Sequence, residues 1–152
     1  MKLKKIIYTI LLLILMMIIF MFSNQNAKTS QDTSDKVASD IVNTVEIVTK
    51  KDIPSTKKHD FIDNTRFIVR KTAHFTLYLV LGILAYFTFK SYGISKPVTY
   101  SIIFCLLYAC CDEVHQMFSD GRTAKVLDVF IDTCGSIVGN GLCLIIFHKH
   151  NK

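Results

Sequence analysis

The residues able to do chemistry stand in three short clusters. Arg70, Lys71, His74 and Tyr78 form one; Asp112, Glu113, His115 and Gln116 form the second; Arg122, Asp128 and Asp132 form the third. On a helix, Arg70, His74 and Tyr78 fall at i, i+4 and i+8 and line one face. Asp112, His115 and Gln116, at i, i+3 and i+4, do the same, and Asp128 and Asp132 share a face with Gly135 and Gly139. Four acids facing three strong bases and two histidines can pair among themselves. The same set can hold an anionic group, because a guanidinium grips phosphate or carboxylate through two parallel hydrogen bonds. It can also supply acid–base groups, with Glu113, His115 and Asp112 as the catalytic candidates. His74 and His115 are metal-ligand types, but no HExxH or related spacing is present, so neither metal nor cofactor is expected. No GxSxG occurs either, which argues against an intramembrane protease.

Each cluster borders a long apolar run, and those runs must position it. The chain is 152 residues long and 51% hydrophobic, with a mean hydropathy of +0.37. These values favour a membrane protein of one compact unit over a soluble domain. Ile6 to Phe22 is unbroken and mostly aliphatic after Lys2, Lys4 and Lys5. It exceeds the roughly 7–15 residues of a signal-peptide core and lacks a clean small-residue cleavage pair, so it reads as a retained first span. Phe67–Phe89 gives a second span, and Pro97 opens a third. Only Val98–Cys111 precedes Asp112 there, roughly 21 Å of helix against a hydrocarbon core of about 30 Å. The third helix must therefore continue through 112–118 and carry its acids into the edge of the membrane. Val126–Phe147 gives the fourth span, with Asp128 and Asp132 in its early turns and a Gly135–Gly139 GxxxG pair for helix packing.

Between the first two spans, Ser23–Arg66 is polar, with seven basic and seven acidic residues. Within it Val37, Ile41, Val45 and Val48 recur at helical spacing after the capping candidates Thr29, Ser30, Asp32 and Ser34. This predicts an amphipathic helix, at the membrane surface or packed on the bundle, ending before Pro54. The expected fold is thus an all-α membrane protein of about four transmembrane helices plus one amphipathic helix in the first outer loop. Its parts are an N-terminal tail and first span (1–22), an outer loop (23–66), three further spans (67–147) and a tail (148–152).

The five cysteines all lie in apolar segments without CxxC spacing and read as packing residues. Lysines without compensating acid mark the N-terminus, the 90–96 loop and the C-terminal tail, which places both termini in the cytoplasm of a multi-pass cell-membrane protein. The scattered basic residues form no nucleic-acid patch. All three polar clusters then fall at one level, on the outer side.

These residues resemble the VanZ-like family of small bacterial membrane proteins. The resemblance runs through Phe22-Ser23-Asn24-Gln25 with Ser30 and Ser34, then Arg70-Lys71-Thr72-Ala73-His74-Phe75 with Tyr78 and Gly82. It is most specific in Asp112-Glu113-Val114-His115-Gln116, Gly121-Arg122 and Asp128-Val129 with Asp132, Gly135 and Gly139. It implies a cell-envelope protein related to one associated with low-level teicoplanin resistance; it implies no reaction. The expected partners are membrane lipids and a lipid-linked cell-wall precursor or lipoglycopeptide, bound by Arg70, His74, Tyr78, Asp112, Glu113, His115, Gln116, Arg122, Asp128 and Asp132. Two alternatives stay open: an enzyme acting on a lipid phosphate or cell-wall precursor, and a non-catalytic partner-binding protein, for which the GxxxG face also permits a homo-oligomer.

Overall fold

A computed structural model describes residues 2–23, 27–50, 54–118 and 125–148. Among them are five helices and no strands: α1 (Lys2–Ser23), α2 (Ala27–Thr49), α3 (Ser55–Ser91), α4 (Pro97–Gln116) and α5 (Val126–His148). Four of these, all but α2, are long and apolar enough to cross a membrane.

The bundle is polar inside and apolar outside. On α5, Asp128, Asp132, Ser136 and Asn140 are buried, while Phe130, Ile137, Leu144, Ile145 and Ile146 are exposed. A lipid environment makes this arrangement favourable, since apolar side chains lose nothing by facing hydrocarbon and polar ones need internal partners. α1 follows the same logic with one contact seam: Leu12, Ile19 and Ser23 are buried, Leu15 and Met16 pack partly buried against the core, and most of the other aliphatics are exposed.

α3 and α5 form the closest pair because glycines remove the side chains between them. A Cβ on Gly135 would strike the Phe75 carbonyl oxygen, and one on Gly139 that of Leu79. From the other side, a Cβ on Gly82 would come within 2.6 Å of the Ser136 carbonyl oxygen. The GxxxG pair therefore packs α5 onto α3 within one chain.

Helix boundaries follow local chemistry. Lys50, at φ 50°, closes α2 in the left-handed region. Gly93, at φ 81°, ends α3, with Ile94 N donating to Phe89 O (3.2 Å) and Gly93 N to Lys90 O (3.1 Å). That double bond is a Schellman closure, which a β-carbon at position 93 would strain. Pro97 then occupies the first turn of α4, where its missing N–H leaves no bond unmade. α4 reaches Gln116, about 30 Å of helix, so the third span does absorb Asp112–Gln116.

Two features differ from the sequence expectation. The second spanning helix starts at Ser55 and not at 67, because 55–66 carries no helix breaker after Pro54 and continues the same helix. At 37 residues α3 is about 55 Å long, well beyond a hydrocarbon core of about 30 Å. α2 packs on α3 through Ala38 and Val42, both fully buried. The stripe Val37, Ile41, Val45 and Val48 stays exposed, Val48 by 75%. Ala38 is small enough to admit close approach, and Asp35 on the same side pairs with Arg66 of α3; together they set the helix's rotation.

Candidate functional site

The bundle end formed by the start of α5, the ends of α1 and α4 and the middle of α3 collects most of the expected residues. Asp112, Glu113 and Gln116 are buried together on α4, and Asp128 and Asp132 on α5. On α3, Lys71 and Asp128 form an ion pair between side chains that are nearly enclosed. Arg70 reaches the same carboxylate at 4.0 Å, the outer limit of an ion pair, and its side chain is 39% exposed. One turn deeper, His74 Nδ1 lies 3.6 Å from Asp132 Oδ1, and Asp132 is fully buried. Tyr78, a further turn down the same face, has no exposed surface.

α4 is tied to its neighbours from the same level. Gln116 Nε2 donates to Asp112 Oδ2 at 3.0 Å, and Ser23 Oγ of α1 donates to the Asp112 carbonyl at 3.5 Å. Glu113 Oε2 accepts from the Lys125 backbone N–H at 2.8 Å. Lys125 O in turn accepts from Asp128 N, so Glu113 holds the first turn of α5 from outside, where a helix carries partial positive charge. His115 is half-buried and stacks on Phe20 of α1, with ring centroids 4.3 Å apart.

The site is under-paired for its depth. Asp112 Oδ1, Glu113 Oε1, both Asp132 carboxylate oxygens, Tyr78 Oη and His115 Nε2 are buried without a hydrogen-bond partner among the described residues. Buried polar atoms are nearly always bonded, and intramembrane acids mark functional positions by default. Packing alone would favour their mutual satisfaction or replacement by apolar groups.

Arg122 lies outside the described residues. The other nine expected ligand-binding residues divide by access: Arg70, His74 and His115 are partly exposed, whereas Tyr78, Asp112, Glu113, Gln116, Asp128 and Asp132 are buried. Gly135 and Gly139 lie against α3 beneath them. Among the described residues, no group of three or more His, Cys, Asp or Glu side chains is placed to share a metal ion.

Sequence spacing does not single out two groups that matter here. Lys71, next to Arg70, is the closer partner of Asp128; adjacent bases on a helix differ by 100° in direction, and only packing decides which points inward. Deeper in the bundle, Ser101 Oγ donates to Gly82 O (3.0 Å), and Asn140 Nδ2 donates to Ser101 Oγ (3.1 Å) and Ser136 O (2.9 Å). An asparagine within an apolar span was the available signal for this second polar layer.

No curated protein and no solved structure matches the chain. A family model described as VanZ/LLP1 matches residues 8–147, nearly its whole length and every residue of the site. The chain belongs to the VanZ/LLP1 family.

Proposed function

We propose that the protein is a multi-pass cell-membrane protein with both termini in the cytoplasm. Its Arg70 rim binds the anionic group of an amphiphile at the outer face. The amphiphile is a lipid-linked cell-wall precursor or a lipoglycopeptide, and through it the protein contributes to tolerance of teicoplanin-type glycopeptides. The orientation rests on lysine placement. Thr9 Oγ1 lies 3.4 Å from Tyr92 Oη, and Lys5 sits over the Tyr92 ring. The basic N-terminus and the lysine-flanked loop after α3 therefore share the end of the bundle away from the site, as the positive-inside rule expects for a cytoplasmic end.

The observation that carries the reading is the unequal use of the two adjacent bases. Lys71 is consumed by Asp128, while Arg70 keeps a partly exposed guanidinium at the limit of ion-pair range. A planar fork at that depth suits phosphate or carboxylate. The buried carboxylates beneath hold the rim bases in place without reaching the ligand themselves.

The reading is tested in bacteria carrying the gene on a plasmid. Teicoplanin susceptibility is measured for wild type and for Arg70→Gln, with membrane levels of both proteins matched by immunoblot. Expression of the wild type should lower susceptibility, and Arg70→Gln should return it to the vector level. Susceptibility unaffected by either protein contradicts the resistance role.

A further inference from the structure

The interior of the bundle carries a polar group at nearly every turn from the site to the opposite end. On α3, Tyr78, Gly82 and Tyr86 recur every four residues and are buried, with the half-buried His74 one turn before them and the exposed Lys90 one turn after. Opposite them α5 places Asp128, Asp132, Ser136, Asn140 and Cys143, all buried. At Gly82, where α3 has no side chain, α4 contributes Ser101 and Cys105, both fully buried. From His74 to Lys90 this seam spans roughly 24 Å of helix, most of a hydrocarbon core of about 30 Å.

His74 meets Asp132 at 3.6 Å. Tyr78 and Cys105 are both fully buried in one cluster with residues of α1, α3 and α4. Asn140 Nδ2 bonds Ser101 Oγ and the Ser136 carbonyl. At the far end Lys90 Nζ donates to Tyr86 Oη at 3.3 Å. Helix packing by polar side chains would leave such groups satisfied. Here the Tyr78 hydroxyl, both Asp132 oxygens and Asn140 Oδ1 are buried without hydrogen-bond partners among the described residues.

We propose that this α3–α4–α5 seam is a proton pathway joining the carboxylate site to the Lys90 end of the bundle. Carboxyl, phenol, thiol and hydroxyl groups each donate one proton while accepting another, so a proton added at Asp132 or Asp112 passes through Tyr78, Cys105, Ser136 and Ser101, with a bridging water at the unpartnered Tyr78 hydroxyl. The next step, to Tyr86, takes one bridging water, for which Asn140 Oδ1 is the buried acceptor. The proton leaves from Lys90. Only O–H, S–H and N–H bonds form and break, one proton enters as one leaves, and hydroxyl rotation restores the starting state. Close packing at Gly82 and Ser136 excludes a water column, which restricts the seam to protons moving singly. The pathway stands apart from the identity of any ligand.

The test uses the purified full chain in liposomes with an enclosed pH dye, a potassium gradient and valinomycin to impose a membrane potential. Luminal pH should change faster than in protein-free vesicles. Tyr78→Phe, which removes only the hydroxyl, should bring the rate back to the protein-free value, as should Asp132→Asn. Val138→Ala, on the lipid face, should leave it unchanged. Helicity by circular dichroism and a monodisperse elution profile establish that each variant is folded. A wild-type rate equal to that of protein-free vesicles overturns the proposal, and so does a wild-type rate that folded Tyr78→Phe retains.

Discussion

Lys71 of α3 and Asp128 of α5 form a buried ion pair at the level where three helices bring their charges together. The pair joins the middle of the longest helix to the first turn of the last one, where Asp128 also complements the helix dipole. It thereby separates two adjacent bases into a structural one, Lys71, and an available one, Arg70.

Breaking that pair from one side should be severe. Lys71→Met leaves Asp128 buried with only the distant Arg70, and Asp128→Leu leaves an ammonium without its carboxylate. Each should cost about 3–5 kcal/mol. The double replacement should recover much of the loss, since the uncompensated charge is gone. Thermal unfolding of the four proteins in one detergent measures the cycle.

Glycine substitutions should separate sharply by position. Gly139→Leu and Gly135→Leu place atoms into the α3 backbone at Leu79 and Phe75, with no flexible side chain to move aside. Both should prevent formation of a monodisperse protein. Gly141→Ala has nothing within 4 Å of the new Cβ and should be neutral or slightly stabilising, by up to about 1 kcal/mol from helix propensity. Size-exclusion profiles and melting temperatures distinguish the three.

The rotation of α2 is equally open to test. Val42→Asp places an unpaired carboxylate against α3 and should release α2, raising proteolysis between α2 and α3. Val48→Asp, on the exposed stripe, should leave the digestion pattern unchanged. The opposite ranking would mean that the Val37–Val48 stripe is the packed face.

The polar layer at Ser101 and Asn140 should contribute modestly. Asn140→Leu removes the bonds to Ser101 and Ser136, each worth about 0.6–2 kcal/mol between membrane helices. A melting-temperature loss should therefore appear without loss of the fold.

Much of this architecture was legible in the sequence, for identifiable reasons. Hydropathy runs located all four spans, and Pro97 and the Lys90–Lys96 loop fixed the turn before the third. The shortness of Val98–Cys111 correctly forced Asp112 and its neighbours into that helix. The order of the spans, oriented by lysine placement, brought His74, Asp112, Asp128 and Asp132 to one level. What spacing could not supply was rotation and reach. The apolar stripe of α2 pointed to Val37 and its repeats, yet the small Ala38 and the Asp35–Arg66 pair turned the helix by one position. The start of α3 was placed at 67 by hydropathy, but a polar helix projecting past the hydrocarbon has no hydropathy signature. Which of Arg70 and Lys71 faces inward likewise depended on where α5 packs.

The central claim, that the Arg70 rim receives the anionic group of an amphiphile, is tested most directly by binding to the purified protein. Native mass spectrometry in detergent, with a polyprenyl phosphate in one arm and teicoplanin in the other, would compare wild type with Arg70→Gln at several salt concentrations. One charge-assisted contact is worth about 1.5–3 kcal/mol, so the variant should bind one of these probes about 10- to 150-fold more weakly. Added salt should weaken the wild type more than the variant. Equal affinity of wild type and Arg70→Gln for both probes would contradict the account.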